Sequence, residues 1–363
     1  MLFFVIALNI LGEEILKGKK FYFLTIGEAG YSRSWNYYKG LLKLGETAEF
    51  VQIDPKKLIK TFITIKKKTS INDDFVVMSP SHYLVPFARF FLGKNVYLDA
   101  GWSLFEGSII SRRKIGFIGT NVLKTYFIDL TASFLAKRII LESNAQKAFY
   151  CKSFLLRNSK CSVIYTGIDE EQFKLNLQYQ TPIDIFKNSK IVLFRGKYTA
   201  EAGLEVLAKA SKLLSNEKIT FWIYSPGIPK DLEFSSNTIV IDGFLASKQD
   251  LAKVYSEASL TLGQLSNHSR LRRTIPHKAF ESAFLAKPYL SARTKGILEL
   301  FTENKDIFCF NAGDENDLAK KIRNFFGNFS AHESIGKNMK KKYDLELSQC
   351  ELSSKFLKVT EGV

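Results

Sequence analysis

A chain of 363 residues, 46% apolar and 24% charged, is too long for one ordinary core and too apolar to be disordered, so it reads as two soluble α/β-sized domains. Its net charge is +16, with 25 basic and 15 acidic side chains in residues 1–180 and 27 and 21 in the rest. That N-terminal surplus fits an anionic partner (a phosphorylated substrate, an anionic lipid surface or nucleic acid) or a solvated surface with none.

Met1–Leu11 is apolar except for Asn9. It is too short to span a bilayer and lacks the basic start and cleavage site of a signal peptide, leaving a packed leading helix or a shallow membrane contact. The four cysteines, Cys151, Cys161, Cys309 and Cys350, have no metal-site spacing and are too sparse for a disulfide framework, as expected in a reducing, cytoplasmic setting.

Lys20–Ile26 is a short apolar run that predicts a buried strand, and Gly27–Tyr31 a loop after it. Trp35–Leu44 predicts a helix stopped by Gly45. Glu49–Ile53, Phe75–Met78, Asn95–Leu98, Arg138–Leu141 and Ser162–Tyr165 continue as strands. Leu175–Lys190 is polar, broken by Pro182, and is the best linker in the chain. Beyond it, Ile191–Phe194, Ile219–Tyr224, Thr238–Ile241, Leu260–Leu262, Tyr289–Ser291 and Ile307–Phe310 predict strands. Leu204–Leu214, Leu251–Glu257, Pro276–Leu285 and Asn316–Phe326 predict helices. This alternation implies parallel sheets in two doubly wound α/β domains facing a central cleft. The expected boundaries are 1–180 for an acceptor domain and 181–340 for a donor domain. Residues 341–363 are expected to form a helical segment packing back toward the first domain.

Ligands in such folds bind outside the carboxyl ends of strands, so the loops there carry the candidate chemistry. Gly27 and Gly30 let backbone approach an anion, and Arg33 adds a cation; an ordinary βα turn is the alternative. Arg195 and Lys197 flank Gly196 at a strand end, placed to neutralise a leaving diphosphate. Pro276 suits the first position of a helix whose free N–H groups bind anions. Arg273, Thr274, Ile275, His277 and Lys278 surround it, and Glu281 lies one turn in, where a carboxylate can accept from a ribose diol. Gly296 and Glu299 follow a later strand, with helix capping as the alternative. In the first half, Asp99 and His82 end strands and are candidate acceptor contacts, or else local hydrogen-bonding groups. No Asp-x-Asp pair, zinc motif or serine triad is present, so neither a metal nor another cofactor is expected. Tyr83, Phe87, Arg89, Phe90, Phe91 and Lys94, with Arg112-Arg113-Lys114, form either core or a basic aromatic surface suited to the cytoplasmic face of an anionic membrane.

The ordered succession of pieces resembles the retaining glycosyltransferases of family 4, which have two Rossmann-like domains (the GT-B fold). Tyr165-Thr166-Gly167-Ile168-Asp169 with Phe173 is similar to that family's Asn-Gly-Val-Asp…Phe signature, and Arg195-Gly196-Lys197…Gly203 to its phosphate segment. Ile239–Phe244, Leu251…Tyr255…Ala258, Pro276–Glu281, Lys287-Pro288, Gly296…Glu299 and Gly313-Asp314…Leu318-Ala319 follow in order. The resemblance implies a nucleotide-sugar donor, with Glu281 as the second acid of a Glu-x7-Glu motif on the ribose. It also implies Lys197 on phosphate and Gly296 to Glu299 facing the donor. With Arg195, Lys197 and Asp99 as catalytic candidates, it implies metal-independent transfer to a glycan or lipid-linked acceptor in surface-glycan assembly. The chain departs from the pattern in carrying Arg273 for the first acid, Ala202 for a lysine and Thr166 for an asparagine. Those departures keep open a non-catalytic nucleotide- or glycan-binding protein on the same fold. The +16 charge keeps open a nucleic-acid-binding protein, although no recognition motif for one is present.

Overall fold

Lys20–Thr25 (β1) buries Phe21, Tyr22, Phe23 and Leu24 in succession, the pattern of a parallel strand covered on both faces. The computed structural model describes residues 19–27, 33–110, 120–173, 178, 190–243 and 248–362. Met1–Leu11, Gly30, Arg112–Lys114 and most of the expected linker lie outside these.

The chain divides into two compact units, one of residues 1–166 with 349–363 and one of residues 167–348. In the first, β1, β2 (Thr47–Gln52), β3 (Asp74–Met78), β4 (Val96–Gly101), β5 (Arg138–Leu141) and β6 (Cys161–Val163) form one parallel sheet in the order β2-β1-β3-β4-β5-β6. Helices α1 (Ser34–Lys43), α2 (Leu58–Lys68), α3 (Leu84–Leu92), α4 (Leu104–Ile110), α5 (Thr120–Leu135) and α6 (Asn144–Ser153) follow the strands. Phe62, Ile65, Leu84, Val85, Ala88 and Ala132 place α2, α3 and α5 on one face of the sheet. Tyr37 and Leu41 of α1 cover the other, together with Leu352 and Phe356 of a C-terminal helix, Gln349–Glu361. Tyr97 Oη donates to Thr360 O at 3.1 Å and Ser353 Oγ to Tyr37 O at 2.9 Å, securing that helix. Gly40 of α1 is required there, because a Cβ would stand 2.1 Å from the Gln349 carbonyl oxygen.

The second unit holds β7 (Lys190–Arg195), β8 (Ile219–Tyr224), β9 (Thr238–Ile241), β10 (Leu260–Leu262), β11 (Tyr289–Ala292) and β12 (Phe308–Phe310). They form a second parallel sheet in the order β12-β11-β10-β7-β8-β9. Its helices are α7 (Leu204–Leu213), α8 (Lys248–Glu257), α9 (His277–Phe284), α10 (Lys295–Leu300), α11 (Glu315–Gly327) and α12 (Phe329–Glu346), and the helix of the first unit is then α13. Both halves are doubly wound, as the alternating pattern predicts.

The division falls at Thr166, not near residue 180, and at Ser348, not residue 341. Gly167, with φ +63°, turns the chain. Phe173 then packs its ring against Phe284 at 6.4 Å, so the stretch ahead of the expected linker already belongs to the second core. Helix α12 likewise packs on α9, and only α13 returns to the first unit.

Candidate functional site

In the second sheet the order reverses between β7 and β10: β8 and β9 build outward on one side, β11 and β12 on the other. The loops leaving β7 and β10 therefore part, and the crevice they leave at the carboxyl ends is the place where such sheets bind ligands. A cavity of about 150 Å³ lies there, lined by Arg195, Gly196, Lys197, Gln264, Pro276, His277 and Lys278.

Each wall has a local cause. Gly196 has φ +140°, a conformation that L side chains avoid, and this bend carries the chain from Arg195 to the exposed Lys197. Pro276 is the N-cap of α9 in an extended conformation, and Ala279 N–H donates back to Pro276 O at 2.9 Å, so the helix begins at the cavity wall that Pro276, His277 and Lys278 form. The loops after β7 and β10 are stitched together by Leu265 N–H to Ala202 O at 3.1 Å and Ser266 Oγ to Glu201 O at 3.0 Å. Gly203 allows this approach, since a Cβ would sit 2.6 Å from the Ser266 nitrogen.

Lys278 is buried yet reaches the cavity wall. Its Nζ donates to Gly263 O at 2.9 Å and Gln264 Oε1 at 3.2 Å, and stands 3.8 Å from the centroid of the Phe194 ring. Burial, reinforced by the Arg195 charge, holds its ammonium well below the usual lysine range. A bound anion would reverse that penalty.

Behind this wall lies Glu281, with no exposed surface. Arg195 grips it with two prongs, Nε to Oε2 at 2.7 Å and Nη2 to Oε1. Tyr255 Oη donates to Oε2 at 2.8 Å, and His277 Nδ1 lies 3.0 Å from Oε1. Burial raises the Tyr255 phenol above its ordinary value, keeping it a donor. Glu281 is thus not on the cavity surface: the carboxylate expected to receive a ribose is engaged by three side chains and fixes the Arg195 guanidinium at the cavity edge.

The other predicted residues divide. Arg195, Lys197, Pro276, His277 and Lys278 meet at the cavity. Arg273 and Thr274 are half-buried and Ile275 buried in the turn before α9, and none of them lines it. Gly296 is buried beneath that turn, where a Cβ would lie 2.4 Å from Thr274 O and 2.6 Å from Leu271 O; its bareness serves packing. Glu299 is half-buried on α10. Gly27 is exposed at the end of β1, its N–H on Thr25 Oγ1 at 3.2 Å.

Arg33 and Asp99 are not surface contacts. Asp99 is wholly buried, and Arg33 Nη1 and Ser34 Oγ donate to its two oxygens, while Arg33 Nη2 donates to Ile164 O. The pair ties the start of α1 to β4 and the chain after β6. His82 is also fully buried, its Nε2 3.8 Å from Asp129 Oδ1 of α5. These burials fit the local hydrogen-bonding alternative for Asp99 and His82 and place Arg33 inside the first unit with Asp99, because a strand-end polar residue is as easily turned inward. Sequence reasoning missed Gln264 and Tyr255 as site residues. The signal for Gln264 was its place after Gly263 beyond the end of β10; Tyr255 stood in the run Leu251…Tyr255…Ala258 but was given no role.

Residues 189–328 match the family model described as Glycosyl transferases group 1. No curated protein matches the chain. Among solved structures, Anabaena Alr3699/HepE in complex with UDP is similar at 15% identity, TM-score 0.67, over 95% of this chain and 100% of that one. Sucrose-phosphate synthase from Thermosynechococcus elongatus is similar at 11% identity, TM-score 0.71, over 95% and 98%. A glycosyltransferase from Rickettsia africae ESF-5 is similar at 15% identity, TM-score 0.66, over 95% and 98%. At these identities the solved structures share the fold. Residues 189–328 thus carry the match to the glycosyl transferases group 1, within a GT-B fold of two Rossmann-like domains.

Proposed function

We propose that the protein is a glycosyltransferase that moves a sugar from a nucleotide-sugar donor to a glycan or lipid-linked acceptor in cell-surface glycan assembly. The reading includes retention of anomeric configuration and no metal cofactor. One observation carries it: Arg195, Lys197 and Lys278 converge with the amino end of α9 on a cavity at the switch point of a parallel sheet. Cations at the positive end of a helix dipole together suit a diphosphate. The UDP bound to the Anabaena relative supports the same class of donor.

In the reaction, the bond between the anomeric carbon and the donor's phosphate oxygen breaks, and an acceptor hydroxyl oxygen bonds to that carbon. The hydroxyl proton passes to the departing diphosphate or to solvent. Arg195, Lys197 and Lys278 stabilise the charge gathering on the leaving diphosphate. Glu281 acts through Arg195 as a positioning residue, held in turn by Tyr255.

The test is incubation of purified protein with UDP-, GDP-, ADP-, CMP- and dTDP-sugars, with and without EDTA. Release of one nucleotide, unaffected by the chelator, is expected. No binding, hydrolysis or transfer with any donor overturns the reading, and activity restored only by added Mg²⁺ or Mn²⁺ overturns its metal independence. Arg273 in place of the family's first acid, with Glu281 engaged internally, favours a second reading: a protein that binds nucleotide or glycan without turnover. Saturable binding with no product under all donor and acceptor conditions would select it.

A further inference from the structure

We infer that the outer faces of α2, α3 and α5 form a docking surface for an anionic lipid bilayer. These helices lie side by side on one face of the first sheet, α3 between α2 and α5. Their inner faces are firmly set: Phe62 of α2 stacks on Phe91 and Phe87 of α3 at 5.8 and 6.2 Å. Their outer faces carry what a core would bury. Helix α2 exposes Ile59 and Ile63, one turn apart. Helix α3 exposes Tyr83 at its start and Phe90, the latter 82% exposed. Helix α5 exposes Leu123, Phe127 and Phe134 in one stripe along its length. Exposed apolar side chains gathered on three adjacent helices mark an interaction site, whereas scattered single residues do not.

The charge between these side chains selects the partner. Six lysines and no acid stand between Pro55 and Thr69. Arg89, Lys94 and Lys124 extend the field across the neighbouring helices, all exposed. The single acid of the three helices, Asp129, is turned inward and buried. A second copy of the chain would bring like charges face to face. A nucleic acid would leave the exposed aliphatic side chains Ile59, Ile63 and Leu123 without a counterpart. An anionic bilayer satisfies both features: lysines meet lipid phosphates while Phe, Ile and Leu enter the headgroup boundary. Among the described residues no helix is long and apolar enough to cross a membrane, so the contact is along the surface. The face suits an enzyme whose acceptor is carried in lipid, but it does not depend on the proposed transfer reaction.

Co-sedimentation of the purified full chain with two kinds of vesicle tests it: phosphatidylcholine alone, and phosphatidylcholine with phosphatidylglycerol. The wild type is expected on the anionic vesicles and not the neutral ones, with release by high salt. Phe90→Ser with Phe127→Ser, and separately Lys60→Glu with Lys67→Glu, are expected to lower vesicle affinity about tenfold or more. All four residues are exposed, so melting temperature and soluble-donor binding should be unchanged, which separates this result from failure of the glycosyltransferase reading. No preference for anionic vesicles, variants that bind as the wild type does, or a dimer that the Phe variants dissociate in light scattering would each overturn the proposal.

Discussion

The Arg195 guanidinium closes a two-pronged ion pair on the buried Glu281 carboxylate, with Nε 2.7 Å from Oε2. Each residue explains the other: a buried carboxylate needs a fixed cation, and a cavity-edge arginine needs something rigid behind it. Glu281→Gln keeps the shape and removes the charge. Breaking a buried pair from one side costs roughly 3 kcal/mol, and less where the arginine is partly exposed. Urea unfolding is expected to show about 2 kcal/mol lost, and donor titration a weaker dissociation constant through a loosened Arg195. Unchanged stability together with lost ribose discrimination would instead return Glu281 to direct donor contact.

Lys278 links donor binding to pH. Burial and the Arg195 charge depress it in the free protein, and a diphosphate beside it favours the ammonium. Binding should therefore take up protons, and affinity should fall as pH rises through the depressed value of the free protein toward that of the complex. For folding the sign is opposite. The unfolded chain binds more protons than the native one between the depressed value and the ordinary lysine range, so stability rises with pH across that window. Calorimetry with a nucleotide sugar in buffers of different ionisation enthalpy reads the uptake; Lys278→Met should abolish it. Uptake unchanged in that variant would assign the proton elsewhere.

Asp99→Asn separates a brace from an acceptor contact. Asp99 is enclosed by Arg33 and Ser34, so the loss should appear as about 3 kcal/mol of stability. The melting temperature should drop, and the surviving folded enzyme should keep its KM for the acceptor. A raised KM with an unchanged melting temperature would contradict the buried geometry.

Gly296→Ala probes the turn ahead of α9. A Cβ there meets the Thr274 and Leu271 carbonyl oxygens at 2.4 and 2.6 Å, and overpacking of this kind costs about 2 kcal/mol. Chemical denaturation should show that loss with or without nucleotide. A variant of full stability with impaired donor binding would mean that Gly296 faces the ligand.

What the sequence settles here is the periodic and the local. Continuous apolar runs such as Phe21–Leu24 and Phe221–Tyr224 bury both faces of their strands, and their alternation with amphipathic helices dictates two parallel sheets. Arg195, Lys197 and Lys278 were legible for the same reason: each sits beside a strand end or helix start that periodicity locates. Direction of burial was not legible. Asp99 and Glu281 carry the same kind of acid at the same kind of position that function uses, yet both point inward onto arginines 66 and 86 residues away. Only the packed sheet decides which partner a carboxylate meets, because such pairing is set by strand order and not by neighbours in the chain. The same holds for the outer faces of α2, α3 and α5. Each reads alone as a helix with a few stray apolar residues, and only their side-by-side packing on one face of the sheet gathers those residues and the lysines.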